Sequence, residues 1–157
     1  NSPLFTIEQL AIKFRWGIEQ ARRDDRFSHD HMFRKFPGGC CGITSELLAE
    51  FLLDNNIDEC LTYVSAVSPE IAAEIPPHTW LKTSDDIIID ITGDQFKYYP
   101  EPFEFDKSVY VGPYNNFYIA FEIRTEEICT NSPLSDVHNR NYLGCQQLYN
   151  IILEYIK

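Results

Sequence analysis

The chain has 157 residues, 44% of them hydrophobic and 14% aromatic, enough for one core and too few for two ordinary domains. Asp plus Glu number 24 against 13 Lys plus Arg, and the resulting formal net charge of -11 repels a phosphate backbone, which argues against a nucleic-acid partner. No run of about 20 apolar residues is present to span a membrane.

In chain order, Ile7, Leu10, Ala11, Phe14, Ile18 and Ala21 recur at helical spacing behind a capping-box pair, Thr6 and Gln9, which predicts a long amphipathic helix over 6–26. Residues 27–39 mix His, Asp and Arg and end in Pro37-Gly38-Gly39, a loop that leads into a second helix. That helix is expected over 41–54, where Leu47, Leu48, Phe51 and Leu52 form a stripe closed by Asp54-Asn55-Asn56. Residues 61–67 read as a strand and 68–77 as a Pro-bearing connection. A hairpin follows, with Thr79-Trp80-Leu81-Lys82 leading into the polar turn Ser84-Asp85-Asp86 and 87–92 leading out. Residues 93–107 form an aromatic loop; short strands are expected at 108–111 and 117–124, with a helix as the alternative for the latter. Ser132-Pro133 opens a C-terminal helix that runs through Leu148, Ile151, Ile152 and Tyr155. This order predicts one α+β domain, 1–157, with N-terminal helices packed on a mostly antiparallel sheet and a helix at the C-terminus.

The five cysteines, Cys40, Cys41, Cys60, Cys129 and Cys145, are odd in number and lack C-x-x-C spacing, so free thiols in a reducing compartment are expected, and no structural zinc. The start, Asn1-Ser2-Pro3-Leu4, has neither the charged nor the apolar region of a secretory signal. A cytoplasmic location is the expectation, with excision from a secreted or delivered effector as the alternative.

Gly39-Cys40-Cys41-Gly42 puts two thiols at the start of a helix, where unpaired N–H groups and the helix dipole favour a thiolate. Flanking glycines admit a substrate carbonyl close to the backbone, and the nucleophile's own N–H is then an oxyanion donor. Such a nucleophile needs a base, and the base an orienting partner. His78 and Asp90 lie on the two arms of the hairpin: with a three-residue turn at 84–86, Trp80 stands opposite Asp90, and His78 and Asp90 become diagonal neighbours on one face. A two-residue turn breaks that register. An aspartate among isoleucines is costly to bury without a partner, and a nearby histidine supplies one. Helical periodicity does not choose the nucleophile, because Cys40 and Cys41 each fall about 50° from the centre of the apolar stripe.

The segments Phe36-Pro37-Gly38-Gly39-Cys40-Cys41-Gly42-Ile43-Thr44-Ser45, His78-Thr79-Trp80-Leu81 and Ile89-Asp90-Ile91-Thr92-Gly93-Asp94-Gln95-Phe96 resemble the F-P-x-G-x-C-G-x-x-S, H-x-W-L and I-D-I-T-x-D-Q-F blocks of bacterial papain-like or transglutaminase-like cysteine proteins. The resemblance covers about 36–96. It implies a papain-like fold, a triad of Cys41, His78 and Asp90, and no metal or organic cofactor. It favours Cys41 as nucleophile and leaves Cys40 as spectator, redox partner or alternative nucleophile. It also implies possible site support from Trp80, as a shield for the histidine–aspartate bond or as plain core, and from Gln95, in the site or in the loop beside it. It leaves the second oxyanion donor unassigned among Gln20, His29 and His31.

His29-Asp30-His31, with Asp24 and Asp25 upstream, is the other cluster of metal-ligand types, but adjacent loop positions rarely converge, so a solvated loop is expected. His138 receives no role. The function expected first is thiol-dependent hydrolysis of an amide or peptide bond in a protein or peptide substrate. Its alternatives are glutamine deamidation or transglutaminase-type transfer, as in effector and toxin domains, and a binding module without chemistry.

Overall fold

The computed structural model describes residues 3–69, 74–129 and 144–156. Helix α1 (Pro3–Arg23) begins with a proline, whose missing N–H is no loss in a first turn, so Thr6 lies inside the helix and not at its cap. It ends before 26 because Asp25 takes the left-handed conformation, φ 58. Arg26 N–H then reaches the Ala21 carbonyl and Asp25 N–H that of Arg22, a Schellman closure. Helix α2 (Cys41–Asp54) has the expected bounds and the same closure, with Asn56 left-handed at φ 63.

Five strands, β1 (Thr62–Val67), β2 (His78–Lys82), β3 (Ile88–Asp90), β4 (Tyr110–Gly112) and β5 (Glu122–Ile128), form one sheet in the order β4-β3-β2-β1-β5. Every neighbouring pair is antiparallel. The β2–β3 hairpin has the three-residue turn: Thr83 N–H bonds the Ile87 carbonyl at 2.9 Å, Asp86 N–H bonds the Thr83 carbonyl at 3.0 Å, and Asp86 is left-handed at φ 59. Leu81 pairs with Ile89 and Lys82 with Ile88, which sets Trp80 against Asp90.

Two expected elements differ. Segment 117–124 divides into the short helix α3 (Asn116–Ile119) and β5, because the Asn115 side chain accepts from the Phe117 and Tyr118 N–H groups and caps a helical turn. The C-terminal helix α4 (Cys145–Ile156) starts just after Gly144, whose carbonyl takes the Leu148 N–H at 3.0 Å. The start expected at Ser132-Pro133, and His138, lie outside the described residues.

Strand alternation sorts the core into two layers. Leu81 and Ile89 join Phe14, Ile18, Leu48 and Ile152 of the helical layer. Trp80, Val64 and Ile88 join an aromatic layer with Phe96, Phe103, Phe117, Tyr118 and Phe121. Among the described residues no helix is long and apolar enough to cross a membrane.

Gly17 is where α1 meets α4: a β-carbon there would lie 2.7 Å from Ile156 Cγ2 and 3.2 Å from Ile152 Cγ2. Gly→Ala inside a helix ordinarily stabilises by roughly 0.5–1 kcal/mol. Here overpacking reverses the sign, and Gly17→Ala is expected to cost about 1–3 kcal/mol, read from the urea midpoint.

Candidate active site

Gly39 turns the chain into α2 with φ 73, a conformation that favours glycine. Cys40 occupies the cap position and offers the helix no side-chain hydrogen bond, so the first N–H groups of α2 have no side-chain acceptor there. A β-carbon on Gly39 or Gly42 would meet nothing within 4 Å, so both flanks of Cys41 are open.

The two adjacent thiols part company at this helix start. Cys40 is 0% exposed and belongs to the helical core. Its Sγ lies 3.6 Å from the Pro37 carbonyl and 3.6 Å from the Thr44 hydroxyl. Burial pushes its pKa up to about 12, which leaves it an inert thiol. Cys41 is half-buried. Burial also pushes its thiol up, but a hydrogen bond with His78, the charge on that ring and a backbone hydrogen bond from Thr79 outweigh it and bring the pKa below the ordinary value. None of the five cysteines is in a disulfide.

His78, at the start of β2, is fully buried. Its Nε2 lies 2.7 Å from Asp90 Oδ2 across the hairpin. Five aromatic rings, Trp80, Phe96, Phe117, Tyr118 and Phe121, surround the imidazole with centroids 4.9–6.4 Å away. Burial opposes the charged imidazole, yet the Asp90 carboxylate and the Cys41 thiol raise its pKa to about 9. Asp90 is itself 3% exposed. Its Oδ1 accepts from Thr92 N–H at 2.9 Å and from the Thr92 hydroxyl at 3.3 Å; its Oδ2 accepts from the Tyr118 hydroxyl at 2.7 Å. Burial raises the carboxyl pKa, but the His78 charge and these donors prevail and hold it below the usual range.

The two supporting residues named from the sequence also lie here. Trp80 is 0% exposed and its ring centroid is 5.5 Å from that of His78, so it serves as core and as a shield for the histidine at once. Gln95 sits in a 3-10 turn, Gly93–Phe96. Its Oε1 accepts from Gly39 N–H at 3.4 Å and its Nε2 lies 3.3 Å from His78 Nδ1.

Two contributors had no sequence signal. Tyr118 reaches Asp90 only because α3 folds over the aromatic layer. Arg15, on α1, donates to both carboxylate oxygens of Asp94 at 2.9 Å and to the Ile91 carbonyl at 2.7 Å, clamping the turn that carries Gln95. The His29-Asp30-His31 cluster does not converge: both histidines are exposed, while buried Asp30 accepts from the Met32 and Phe33 N–H groups. Among the described residues no group of three or more His, Cys, Asp and Glu is placed to hold a metal ion. A cavity of about 470 Å³, lined by Arg22, Arg23, Phe27 and Arg34 among others, includes none of Cys41, His78 and Asp90.

Comparison with known proteins returns no match to a family model, a curated protein or a solved structure. The chemistry is therefore read from the site: a thiol at a helix start, an imidazole whose charge draws that thiol's pKa down, and a buried carboxylate bonded to the ring.

Proposed function

We propose that the chain is a papain-like or transglutaminase-like cysteine enzyme that forms an acyl-enzyme on Cys41 and resolves it with water. The observation that carries this reading is the 2.7 Å bond between His78 Nε2 and buried Asp90, beside a thiol whose pKa the same histidine draws down. With Nε2 donating to Asp90, the Nδ1 lone pair is the one that takes the thiol proton. Cys41 Sγ attacks the amide carbonyl, His78 passes the proton to the leaving amine as the C–N bond breaks, and water then attacks the thioester while His78 returns a proton to sulfur. The Cys41 N–H at the start of α2 faces the developing oxyanion. A protein glutamine in place of a peptide bond gives deamidation by the same steps, and an amine in place of water gives transamidation. Intact chains with altered mass distinguish these from cleavage.

The test is iodoacetamide labelling across pH, mapped to each cysteine by mass spectrometry, on the wild type and on His78→Gln, which keeps a donor for Asp90. Cys41 is expected to react at a pH below the ordinary thiol value of about 8.5 and to lose that reactivity in the variant. Turnover on a found substrate is expected to fall as the pH rises through about 9, where His78 loses the proton it must deliver. Labelling of Cys41 no faster than that of exposed Cys60, in both proteins, would remove the catalytic reading and leave a binding module.

A further inference from the structure

The hydrogen-bond directions around Gln95 carry an inference that rests on the reading of Cys41 and His78 as nucleophile and base. A backbone N–H only donates, so the contact with Gly39 assigns Oε1 to that side and turns the amide NH2 toward His78 Nδ1. An NH2 group only donates as well, so at this contact Nδ1 is an acceptor and the ring carries its proton on Nε2, where Asp90 receives it. A protonated Nδ1 would set donor against donor. The amide therefore opposes the thiolate–imidazolium pair that Asp90 favours.

Burial adds a second, independent constraint. A general acid must touch the leaving group, yet His78 is 0% exposed. Its ring is enclosed by aromatics from β2, the 3-10 turn and α3, whereas Gln95 on the Nδ1 edge is a half-buried side chain beside the open flank of Gly39. The amide is thus a cover on Nδ1 that a side-chain rotation withdraws without movement of the sheet.

We infer that Gln95 is a latch on the empty site: its amide caps His78 Nδ1, works against a proton on that nitrogen, and yields when a substrate carbonyl oxygen arrives to accept the same N–H. The acceptor the amide finds in the empty site is the base itself; a bound acyl group supplies another and frees the base. Gln95 is thus a positioning residue that acts through His78, and it gives selectivity for ligands that bring a carbonyl over reagents that merely reach the thiol.

The test compares Gln95→Ala and Gln95→Met, the latter keeping the bulk without the donor, with the wild type. Losing one hydrogen bond is expected to speed alkylation of Cys41 by iodoacetamide at pH 7 by about fivefold in both variants. ¹⁵N NMR of the His78 ring is expected to show a larger doubly protonated fraction in both variants than in the wild type at the same pH. A merely structural role for Gln95 would slow alkylation or leave it unchanged, and that result overturns the latch. Acceleration in Gln95→Ala alone would reduce the amide to a steric cover and overturns it equally. Adding His78→Gln to Gln95→Ala is expected to abolish the gain. The His78 comparison alone decides the nucleophile–base reading, and the Gln95 comparison alone decides the latch.

Discussion

Asp90→Ala is expected to destabilise the protein by about 3–5 kcal/mol, a large part of a total stability of about 5–15 kcal/mol. The substitution strands four donors at once, His78 Nε2, the Tyr118 hydroxyl and both the N–H and hydroxyl of Thr92, in a layer from which water is excluded. Urea unfolding reads this directly. Asp90→Asn separates stability from chemistry. The isosteric amide still accepts from Thr92, so most of the fold's stability is retained. Its NH2 faces Nε2, however, and forces the proton onto Nδ1, the wrong nitrogen for a base. Acylation by a thiol-reactive ester such as p-nitrophenyl acetate is then expected to fall by about 10⁴-fold. Normal acylation in Asp90→Asn would show that the carboxylate only holds the hairpin. The sign of the pH effect follows from the depressed folded pKa of Asp90: its contribution is complete above the unfolded value of about 3.9 and is lost as pH falls through the lower folded value. Asp90→Asn should flatten that acid limb of a stability–pH curve.

Arg15→Ala is expected to cost about 3–5 kcal/mol as well, because it leaves the Asp94 carboxylate, whose side chain is 18% exposed, without its bidentate partner and the Ile91 carbonyl without a donor. The double variant Arg15→Ala with Asp94→Ala should recover part of the loss, since an unpaired charge costs more than an absent pair. Equal instability of the single and double variants would mean that Arg15 acts by packing on Phe36, over whose ring its guanidinium lies at 4.7 Å, and not by pairing with Asp94.

How far the site was legible depends on the range of the interactions that build it. The His78–Asp90 pairing is local: a polar three-residue turn with Asp86 able to take a positive φ settles the register, and the diagonal relation follows from pleating. The bounds of α2 were legible for the same reason, through its glycine entry and its Asn-rich exit. Cys40 and Cys41 were not separable by periodicity because both flank the apolar stripe. The helix start decides between them: the cap residue turns into the core, and the first helical residue faces the strand that brings His78. Gln95 had a motif but no direction until the 3-10 turn aimed its amide. Tyr118 and Arg15 were illegible, since they meet their partners across 28 and 79 residues, and no local pattern encodes such a contact. The expected capping box at Thr6 failed because a proline upstream provides a helix start of its own.

The order of these elements along the chain has a consequence for synthesis. Cys41 leaves the ribosome before His78 and Asp90, and α2 alone brings no imidazole to it. The β2–β3 hairpin forms from contacts close in sequence and is able to assemble early, but Tyr118 and the aromatic layer that desolvates the pair come later still. A nascent or misfolded chain therefore carries an ordinary thiol, and on the proposed reading a reactive one arises only in molecules that have finished folding.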